Sequence, residues 1–407
     1  MRRIIGFIFY SIFPLLVMAE RLTPYVNPFV GTDGYGNVYP GAQIPFGGIQ
    51  ISPDTDADFY DAASGYKYSH STLMGFSLTH LSGTGIPDLG DFLFVPGAGE
   101  IKSVPGTHDE PEKGYRSHYS HDKEWASPGY YGVELIDYGV KAEMTAASRS
   151  GFFRFTYPKS DQAFILIDMN HTLWQSCPWA NLRQINDSTL VGYKLVKGWG
   201  PERHVYFAAT FSCKLNNFQI LQNGKPVIYD TKRFRSHLEA WGEKLMACVR
   251  FETQANQEIY VKTAISGVST EGALRNLQEL NGFDFDRTRE AADRLWEKEL
   301  SKFQVKGDLK TKQTFYTSAY HAALHPFIFQ DVDGMYRGLD KNIEKAENFT
   351  NYTTFSLWDT YRAFHPLLNL INQPLQADIA NSMLAHYDKS VEHMLPIWSF
   401  YGNETWC

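Results

Sequence analysis

Gly151-Phe-Phe-Arg-Phe-Thr-Tyr157 and Ala163-Phe-Ile-Leu-Ile-Asp168 lie close together in the chain, with the turn residues Pro158 and Asp161 between them. Both runs are rich in the aromatic and β-branched residues that fit the pleated surface of a sheet. Four more short runs share this composition: Phe92–Val95, Tyr131–Ile136, His204–Phe211 and Glu258–Ala264. Many short strands, with turn residues and no helical pattern between them, predict an antiparallel β-sandwich over residues 20–268.

The period of the apolar residues changes near residue 270. Five segments then have helical spacing: one that begins at Thr270, followed by Arg287–Leu300, Phe315–Leu324, Thr360–Ile371 and Leu375–Tyr387. In the second of them, Ala291, Leu295 and Trp296 are predicted to face inward. The pattern predicts linker helices over residues 269–302 and a helical domain over 303–407. Periodicity alone does not distinguish a helix bundle from an α/α toroid.

Composition excludes several classes of protein. The chain has 407 residues, a formal charge of −7 and 43% hydrophobic residues, which is too apolar for a disordered protein. Its acidic balance argues against nucleic-acid binding, which needs clustered Lys and Arg. The 9 Trp, 24 Tyr and 28 Phe suit either a well-filled core or the flat faces of sugars. Composition by itself favours the core.

The N-terminus has the pattern of a secretory signal peptide. Met1-Arg2-Arg3 is basic, the stretch from Ile4 to Ala19 carries no charge, and Val17-Met-Ala19 is typical of a cleavage site. The stretch is short for a membrane span and contains Pro14. We therefore expect residues 1–19 to be removed and the protein to be periplasmic or secreted, with no membrane span afterwards. Export permits disulfides, and the sequence leaves their pairing open.

Two polar loops in the first half are candidate ligand-binding segments. Gly31-Thr-Asp-Gly-Tyr-Gly-Asn-Val-Tyr-Pro-Gly-Ala42 matches neither a phosphate-binding loop nor a dinucleotide fingerprint. Its glycines allow a tight loop to approach a ligand, or form an ordinary cluster of turns. His80-Leu-Ser-Gly-Thr-Gly85 lacks the nucleophile elbow of a serine hydrolase. It is interpreted as a sugar-contacting or structural loop.

Two segments of the helical half carry further candidates. In Ser356-Leu-Trp-Asp-Thr-Tyr-Arg362, the Trp358 ring offers a stacking face, and Asp359 is able to accept two sugar hydroxyls or to cap the following helix. Arg362 is a candidate partner for a carboxylate. Glu404 lies among aromatic residues, and apolar surroundings raise the pKa of a carboxyl, as a general acid requires.

Several long motifs, in this order, resemble glycoside hydrolase family 92, the exo-acting α-mannosidases. The resemblance covers nearly the whole mature chain. It rests on Val26–Thr32 with Pro40-Gly-Ala and Pro45-Phe-Gly47, on Gly75–Gly85 with Gly90-Asp91, on Phe315–Asp340, and on Phe355–Arg362 with His365-Pro-Leu.

The resemblance implies an N-terminal β-sandwich, linker helices and an (α/α)6 barrel. It also implies a calcium-dependent, inverting release of terminal mannose from glycans. In that family a Glu placed like Glu404 is the general acid, and Trp358 and Asp359 resemble residues of the mannose subsite. Gly36 and Asn37 resemble the sandwich loop that closes over that subsite.

One departure from the family limits these expectations. The chain stops inside a family motif, at Glu404-Thr-Trp-Cys407, whereas family members continue for several hundred residues. The missing part carries the aspartates that act as base and the main calcium ligands, so we expect no metal site in this chain. We also expect an incomplete barrel that exposes apolar surface, and an N-terminal fragment that is inactive alone.

Other functions remain open at this point. The alternative is a non-catalytic carbohydrate-binding protein, and a weaker one is an inverting glycoside phosphorylase. Among the linkages α-1,2, α-1,3, α-1,4 and α-1,6, the first is favoured. The sequence does not indicate the natural glycan, which is host N-glycan or yeast mannan, or the oligomeric state.

Overall fold

The computed structural model describes residues 20–57, 60–228 and 239–405. The expected signal peptide, residues 1–19, and Cys407 lie outside the described residues. Within the described part, none of the helices combines the length and the apolar character that crossing a membrane requires.

Two antiparallel sheets form the first part of the chain. The seven strands of one sheet are, in spatial order, Ser52–Asp54, Gly75–Ser77, Leu93–Ala98, Ser160–Asp168, Leu245–Thr253, Asn217–Gln222 and Lys225–Pro226. The nine strands of the other are Glu239–Gly242, Ser176–Gln184, Thr189–Lys197, Arg203–Phe211, Gln257–Ser266, Ser150–Tyr157, Val140–Ala146, Tyr130–Leu135 and Glu124–Ser127. The predicted β-rich part is confirmed, and each of the six predicted runs lies in or overlaps one of these strands.

The sheets are held together by residues that alternate along each strand. Phe153 and Phe155 belong to the core between the sheets, whereas Phe152 points to the opposite face of its strand. The rings of Phe153 and Phe94, on facing sheets, have centroids 4.9 Å apart. Such aromatic pairs contribute about 0.5–1.5 kcal/mol beyond the area that they bury.

Helices follow the last long strand. Within the described residues, the six helices are α1 (Thr270–Asn276), α2 (Phe285–Leu300), α3 (Leu309–Ala322), α4 (Leu357–Thr360), α5 (Phe364–Ile371) and α6 (Gln373–Lys389). Side-chain oxygens of Ser269, Asp284 and Asp308 accept N-terminal backbone N–H groups of α1, α2 and α3 at 2.8–3.0 Å. The predicted change from strands to helices is therefore confirmed.

Short strands complete the described structure. They form four small antiparallel groups: Thr72–Leu73 with Ser117–His118, Phe327–Ile328 with Tyr352–Thr353, Met335–Arg337 with Ile343–Lys345, and Phe355–Ser356 with Trp398–Phe400 and Asn403–Thr405. Single 3₁₀ turns lie at Thr23–Tyr25, Tyr60–Ala62, Pro111–Lys113, His121–Lys123 and Leu277–Glu279.

Helices α1 and α2 cover the outer face of the nine-stranded sheet. Phe285 of α2 stacks edge-on against Phe152, with centroids 5.5 Å apart. Trp296 is fully buried and donates its ring N–H to the Gln43 carbonyl oxygen at 2.6 Å. The prediction that Leu295 faces inward is wrong, because that side chain is 43% exposed. Trp296, one residue on, faces inward as predicted and packs in a cluster with Tyr316 and Tyr320 of α3.

Four buried charges lie beside the loop that follows Gly75–Ser77. Asp91 forms ion pairs with Lys194, at 2.9 Å, and with Arg203, and Arg203 also lies 3.4 Å from Asp88. Burial alone would raise the pKa of Asp91, but Arg203 and Lys194 hold it well below its usual range. These ion pairs fix the loop 79–91 onto the strand that carries Arg203.

Asp91→Asn should therefore destabilise the fold by about 3–5 kcal/mol, because it leaves the buried Lys194 without its counter-charge and Arg203 with Asp88 as its remaining partner. Urea unfolding would measure the loss. The exposed pair Lys123–Glu134 supplies a control, since Glu134→Gln should cost about 1 kcal/mol or less.

The loss of stability caused by Asp91→Asn should become smaller as the pH falls. Because the pKa of Asp91 is depressed in the folded state, its stabilisation is present above the unfolded pKa of about 3.9 and is lost on acidification. The free energies of unfolding of the wild-type protein and of Asp91→Asn should thus converge in acid. A cost near that of the control would show that the pairs contribute no net stability.

Candidate functional site

A cleft of about 630 Å³ lies where the sandwich meets the helical part. One wall comes from the sandwich loop Leu81–Ile86 and from Trp199. The other wall comes from the end of α3, from the segment 354–365 and from Trp398. The cleft therefore requires both parts of the chain.

The sandwich wall rests on a buried polar network. His80 is fully buried; its Nε2 lies 2.8 Å from an Asp54 oxygen and its Nδ1 lies 2.8 Å from the Gln50 carbonyl oxygen. The next residues turn outward, where Thr84 Oγ1 accepts the Ile86 N–H at 3.0 Å. Of the two interpretations of this loop, His80 fits the structural one, whereas residues 81–86 line the cleft.

The glycine-rich loop supports that wall from behind. The Gly83 N–H donates to the Asn37 carbonyl oxygen at 2.7 Å. Asn37 has a positive φ of 50°, and its Oδ1 is buried without a hydrogen-bond partner among the described residues. A Cβ on Gly36 would lie 2.2 Å from the Gly31 carbonyl oxygen, so this position needs glycine. Neither Gly36 nor Asn37 is among the residues that line the cleft.

Asp359 contributes a carboxylate to the helical wall. It accepts a hydrogen bond from the Ser356 hydroxyl, and both residues line the cleft. The prediction that Asp359 caps the following helix is wrong, because a non-helical break separates α4 from α5 and residue 363 precedes α5. The chain turns there, so the side chain is left at the cleft.

Two other side chains of this segment point elsewhere. Trp358 is 69% exposed and is not part of the cleft lining. The Arg362 guanidinium lies over the Tyr361 ring, 5.0 Å from its centroid, and has no carboxylate partner among the described residues, contrary to prediction.

Two histidines of the cleft lining, His321 and His325, were not predicted from the sequence. The Nε2 atoms of His321 and His325 are buried and have no hydrogen-bond partner among the described residues. Burial lowers the pKa of His321 to about 4 and that of His325 to about 3. Both rings are thus neutral at pH 5–8 and are able to exchange hydrogen bonds with a hydroxyl. His321 lies in the predicted helix Phe315–Leu324 and His325 directly follows it, and this i, i+4 spacing was the available signal.

Glu404 lies on the last described strand, Asn403–Thr405, opposite Ser399. Its Oε1 is buried without a hydrogen-bond partner in the described chain. Burial, and then the charge of Glu392, raise the pKa of Glu404 above its ordinary value. Glu404 is not among the cleft-lining residues, although Trp398 of the neighbouring strand is. The structure therefore does not bring Glu404 and Asp359 into one cavity.

The cleft lining does not fit a calcium ion by itself. Calcium takes 6–8 oxygen ligands, mostly carboxylates and carbonyls. Among the described lining residues, Asp359 is the one carboxylate, and it is already bonded to Ser356. The residues of this lining therefore do not form a calcium site by themselves.

Comparison with known proteins gives consistent results. The model of the glycosyl hydrolase family 92 N-terminal domain matches residues 25–266, and that of the family 92 catalytic domain matches residues 272–407. A family GH92 α-mannosidase from Bacteroides thetaiotaomicron is 76% identical, with a TM-score of 0.94 over 95% of this chain and 52% of that chain. The same enzyme in complex with mannoimidazole gives the same identity and TM-score, over 95% of this chain and 51% of that chain.

Two more distant relatives also match the chain. An uncharacterized secreted glycosidase of Arthroderma benhamiae is 25% identical over 365 residues, which are 83% of this chain and 45% of that protein. A family GH92 inverting mannosidase from Bacteroides thetaiotaomicron is 24% identical, with a TM-score of 0.79 over 94% of this chain and 50% of that chain. The chain thus spans about half the length of the relatives it matches.

Proposed function

The chain belongs to glycosyl hydrolase family 92, and from that membership we propose that the whole protein is an exported, calcium-dependent exo-α-mannosidase. The observation that carries the proposal is the 76% identity, over 95% of this chain, to a family GH92 α-mannosidase. The substrate would be a glycan that ends in α-mannose, with α-1,2 as the favoured linkage. Release of mannose from the four α-linked mannobioses by the whole protein tests the activity and the linkage together.

We propose that Glu404 protonates the glycosidic oxygen as the bond to the departing sugar breaks. Its raised pKa supports this role, because a general acid must hold its proton near the working pH. In an inverting reaction a second carboxylate activates water on the opposite face of the ring, about 6.5–9.5 Å away. We assign that base to the part of the relatives that this chain does not match.

We further propose that the cleft holds the terminal mannose. Asp359 would accept sugar hydroxyls, and His321 and His325 would exchange hydrogen bonds with others as neutral rings. Trp199 and Trp398, whose centroids are 5.2 Å apart, would offer apolar faces to the sugar ring. Trp358 and the loop of Gly36 and Asn37 would belong to the same subsite. The half of the relatives that this chain does not match would supply its remaining residues.

Asp359→Asn in the whole protein should lower kcat/KM for an α-mannoside by about 10- to 150-fold, since hydrogen bonds to charged groups contribute about 1.5–3 kcal/mol. Steady-state kinetics would measure the loss. Asp388→Asn, an exposed change on α6 outside the cleft, is the matched control. Equal values for the two variants would remove Asp359 from the subsite.

Glu392→Gln should move the alkaline limb of the pH profile to lower pH, by less than about one unit. The charge of Glu392 raises the pKa of Glu404, so its removal lowers that pKa, and the acid loses its proton earlier as the pH rises. Glu347→Gln, another exposed change, should leave the limb in place. A limb that stays in place, or moves to higher pH, in Glu392→Gln would contradict the assignment of Glu404.

The second candidate is carbohydrate binding without catalysis. It is favoured by the two tryptophans and the one carboxylate that this chain itself places in the cleft. Titration of the isolated chain with mannose would decide, since absence of binding at millimolar sugar would exclude this function. The match to a hydrolase family leaves the phosphorylase interpretation without support.

A further inference from the structure

A cluster of metal-binding side chains lies on the sandwich, away from the cleft. Asp56, His70 and His108 each offer one ligand atom, and these atoms all lie within 4.8 Å of one another. The His108 Nε2 is 3.2 Å from an Asp56 oxygen, and the two imidazole centroids are 4.2 Å apart. All three residues are part-buried, and none lines the cleft. The residues come from two separate loops, because Asp56 and His70 precede the strand Thr72–Leu73 and His108 follows Leu93–Ala98.

Hydroxyl groups behind the cluster orient both rings. The Nδ1 of His70 lies 3.0 Å from Thr55 Oγ1, and the Nδ1 of His108 lies 3.0 Å from Thr72 Oγ1. Metal-binding histidines are commonly fixed by such a hydrogen bond from the nitrogen that does not bind. The Nε2 of His108 faces Asp56, and the Nε2 of His70 is the ring nitrogen that Thr55 does not contact.

The hydrogen bonds of Thr55 favour one tautomer of His70. The Thr55 hydroxyl donates to the Gly65 carbonyl oxygen at 3.4 Å and accepts the Lys67 N–H at 2.9 Å. With its proton directed to Gly65, Thr55 Oγ1 would accept from His70 Nδ1–H. The lone pair of His70 would then be on Nε2, as a metal ligand requires.

The surroundings of both rings disfavour the charged imidazolium form. Burial, followed by the charge of the other ring, lowers the pKa of His70. Burial, followed by the positive charge of Arg116, lowers the pKa of His108.

We propose that Asp56, His70 and His108 bind a divalent cation of the zinc type. Two imidazole nitrogens and one carboxylate oxygen suit Zn²⁺, whereas calcium and magnesium prefer oxygen ligands alone. Three protein ligands leave one tetrahedral position for water. The ion would join the loop before Thr72–Leu73 to the loop that carries His108. Because the ion would bind the folded state and not the unfolded state, it would stabilise the sandwich.

The test is a titration of the full chain, freed of metal by chelator, with Zn²⁺ alone, followed by calorimetry and by thermal unfolding. We expect one ion per chain and a higher Tm. His70→Asn and His108→Asn should each weaken binding by more than about tenfold. His118→Asn is the matched control, because His118 also pairs with an aspartate, Asp137 at 2.9 Å, yet belongs to no cluster of three ligands among the described residues. Absence of saturable binding, or equal binding by all variants, would overturn the proposal.

A second measurement needs no variant and holds even where a substitution prevents folding. Diethyl pyrocarbonate modifies accessible imidazoles, and peptide mass spectrometry locates the modified residues. In the wild-type chain, Zn²⁺ should protect His70 and His108 and leave His118 reactive. If Zn²⁺ left the modification of His70 and His108 unchanged, as it should for His118, the proposal would be overturned. Neither readout involves mannoside hydrolysis, so the result is independent of the proposed function.

Discussion

Replacing Glu404 by glutamine in the whole protein should lower kcat for an unactivated α-mannobiose by about 10²–10⁴-fold, the usual contribution of a general acid. The amide keeps the shape of the side chain but has no acidic proton for the leaving oxygen. An aryl mannoside with a very acidic phenol needs little protonation, so its kcat should fall much less. Steady-state kinetics with both substrates would measure the two losses.

The difference between the two substrates separates chemistry from folding. A variant that is merely destabilised loses activity equally toward both. Glu347→Gln, which removes an exposed carboxylate from the same domain, should leave both rates unchanged. A loss below tenfold, or an equal loss for both substrates, would show that Glu404 is not the acid.

A protein made of residues 20–407 alone should fold yet hydrolyse no mannoside. Two carboxyls are needed for inversion, and the proposed base belongs to the half of the relatives that this chain does not match. Cooperative unfolding would establish that the fragment is folded. Mannose release after long incubation, measured beside the Glu404→Gln fragment, would establish its activity.

The comparison with the variant guards against contamination by a host mannosidase. Release that is the same for both fragments comes from a contaminant and leaves the expected inactivity intact. Release by the wild-type fragment that Glu404→Gln abolishes would show that both carboxyls lie within residues 20–407.

Much of the fold follows from local patterns in the sequence. Phe153 and Phe155 alternate with polar neighbours because one face of their strand is buried between two sheets. The outward Phe152 breaks that alternation, since α2 covers the other face through Phe285. The change of period near residue 270 coincides with the cap formed by Ser269 on α1. The spacing of apolar residues indicates which face of a segment is buried, and this distinguishes the strands from the helices.

The site was harder to predict because it depends on contacts between distant segments. Leu295 and Trp296 are adjacent and both were predicted to face inward, but Trp296 is the one that reaches Gln43, about 250 residues earlier, while Leu295 is exposed. Asp359 has the right chemistry for a cap, but the break before α5 places it at the cleft. His321 and His325 carry no motif, and their role as neutral groups follows from a burial that the sequence does not display.

The most direct test of the inverting mechanism is the configuration of the first product. The whole protein would be mixed with α-1,2-mannobiose, and the anomeric proton of the released mannose would be followed by nuclear magnetic resonance before it equilibrates. An inverting α-mannosidase should release β-mannose first, with later conversion to the α-anomer, and Glu404→Gln should release none. Release of α-mannose first would contradict the inverting mechanism, and absence of mannose from all four linkages would contradict the assignment as an α-mannosidase.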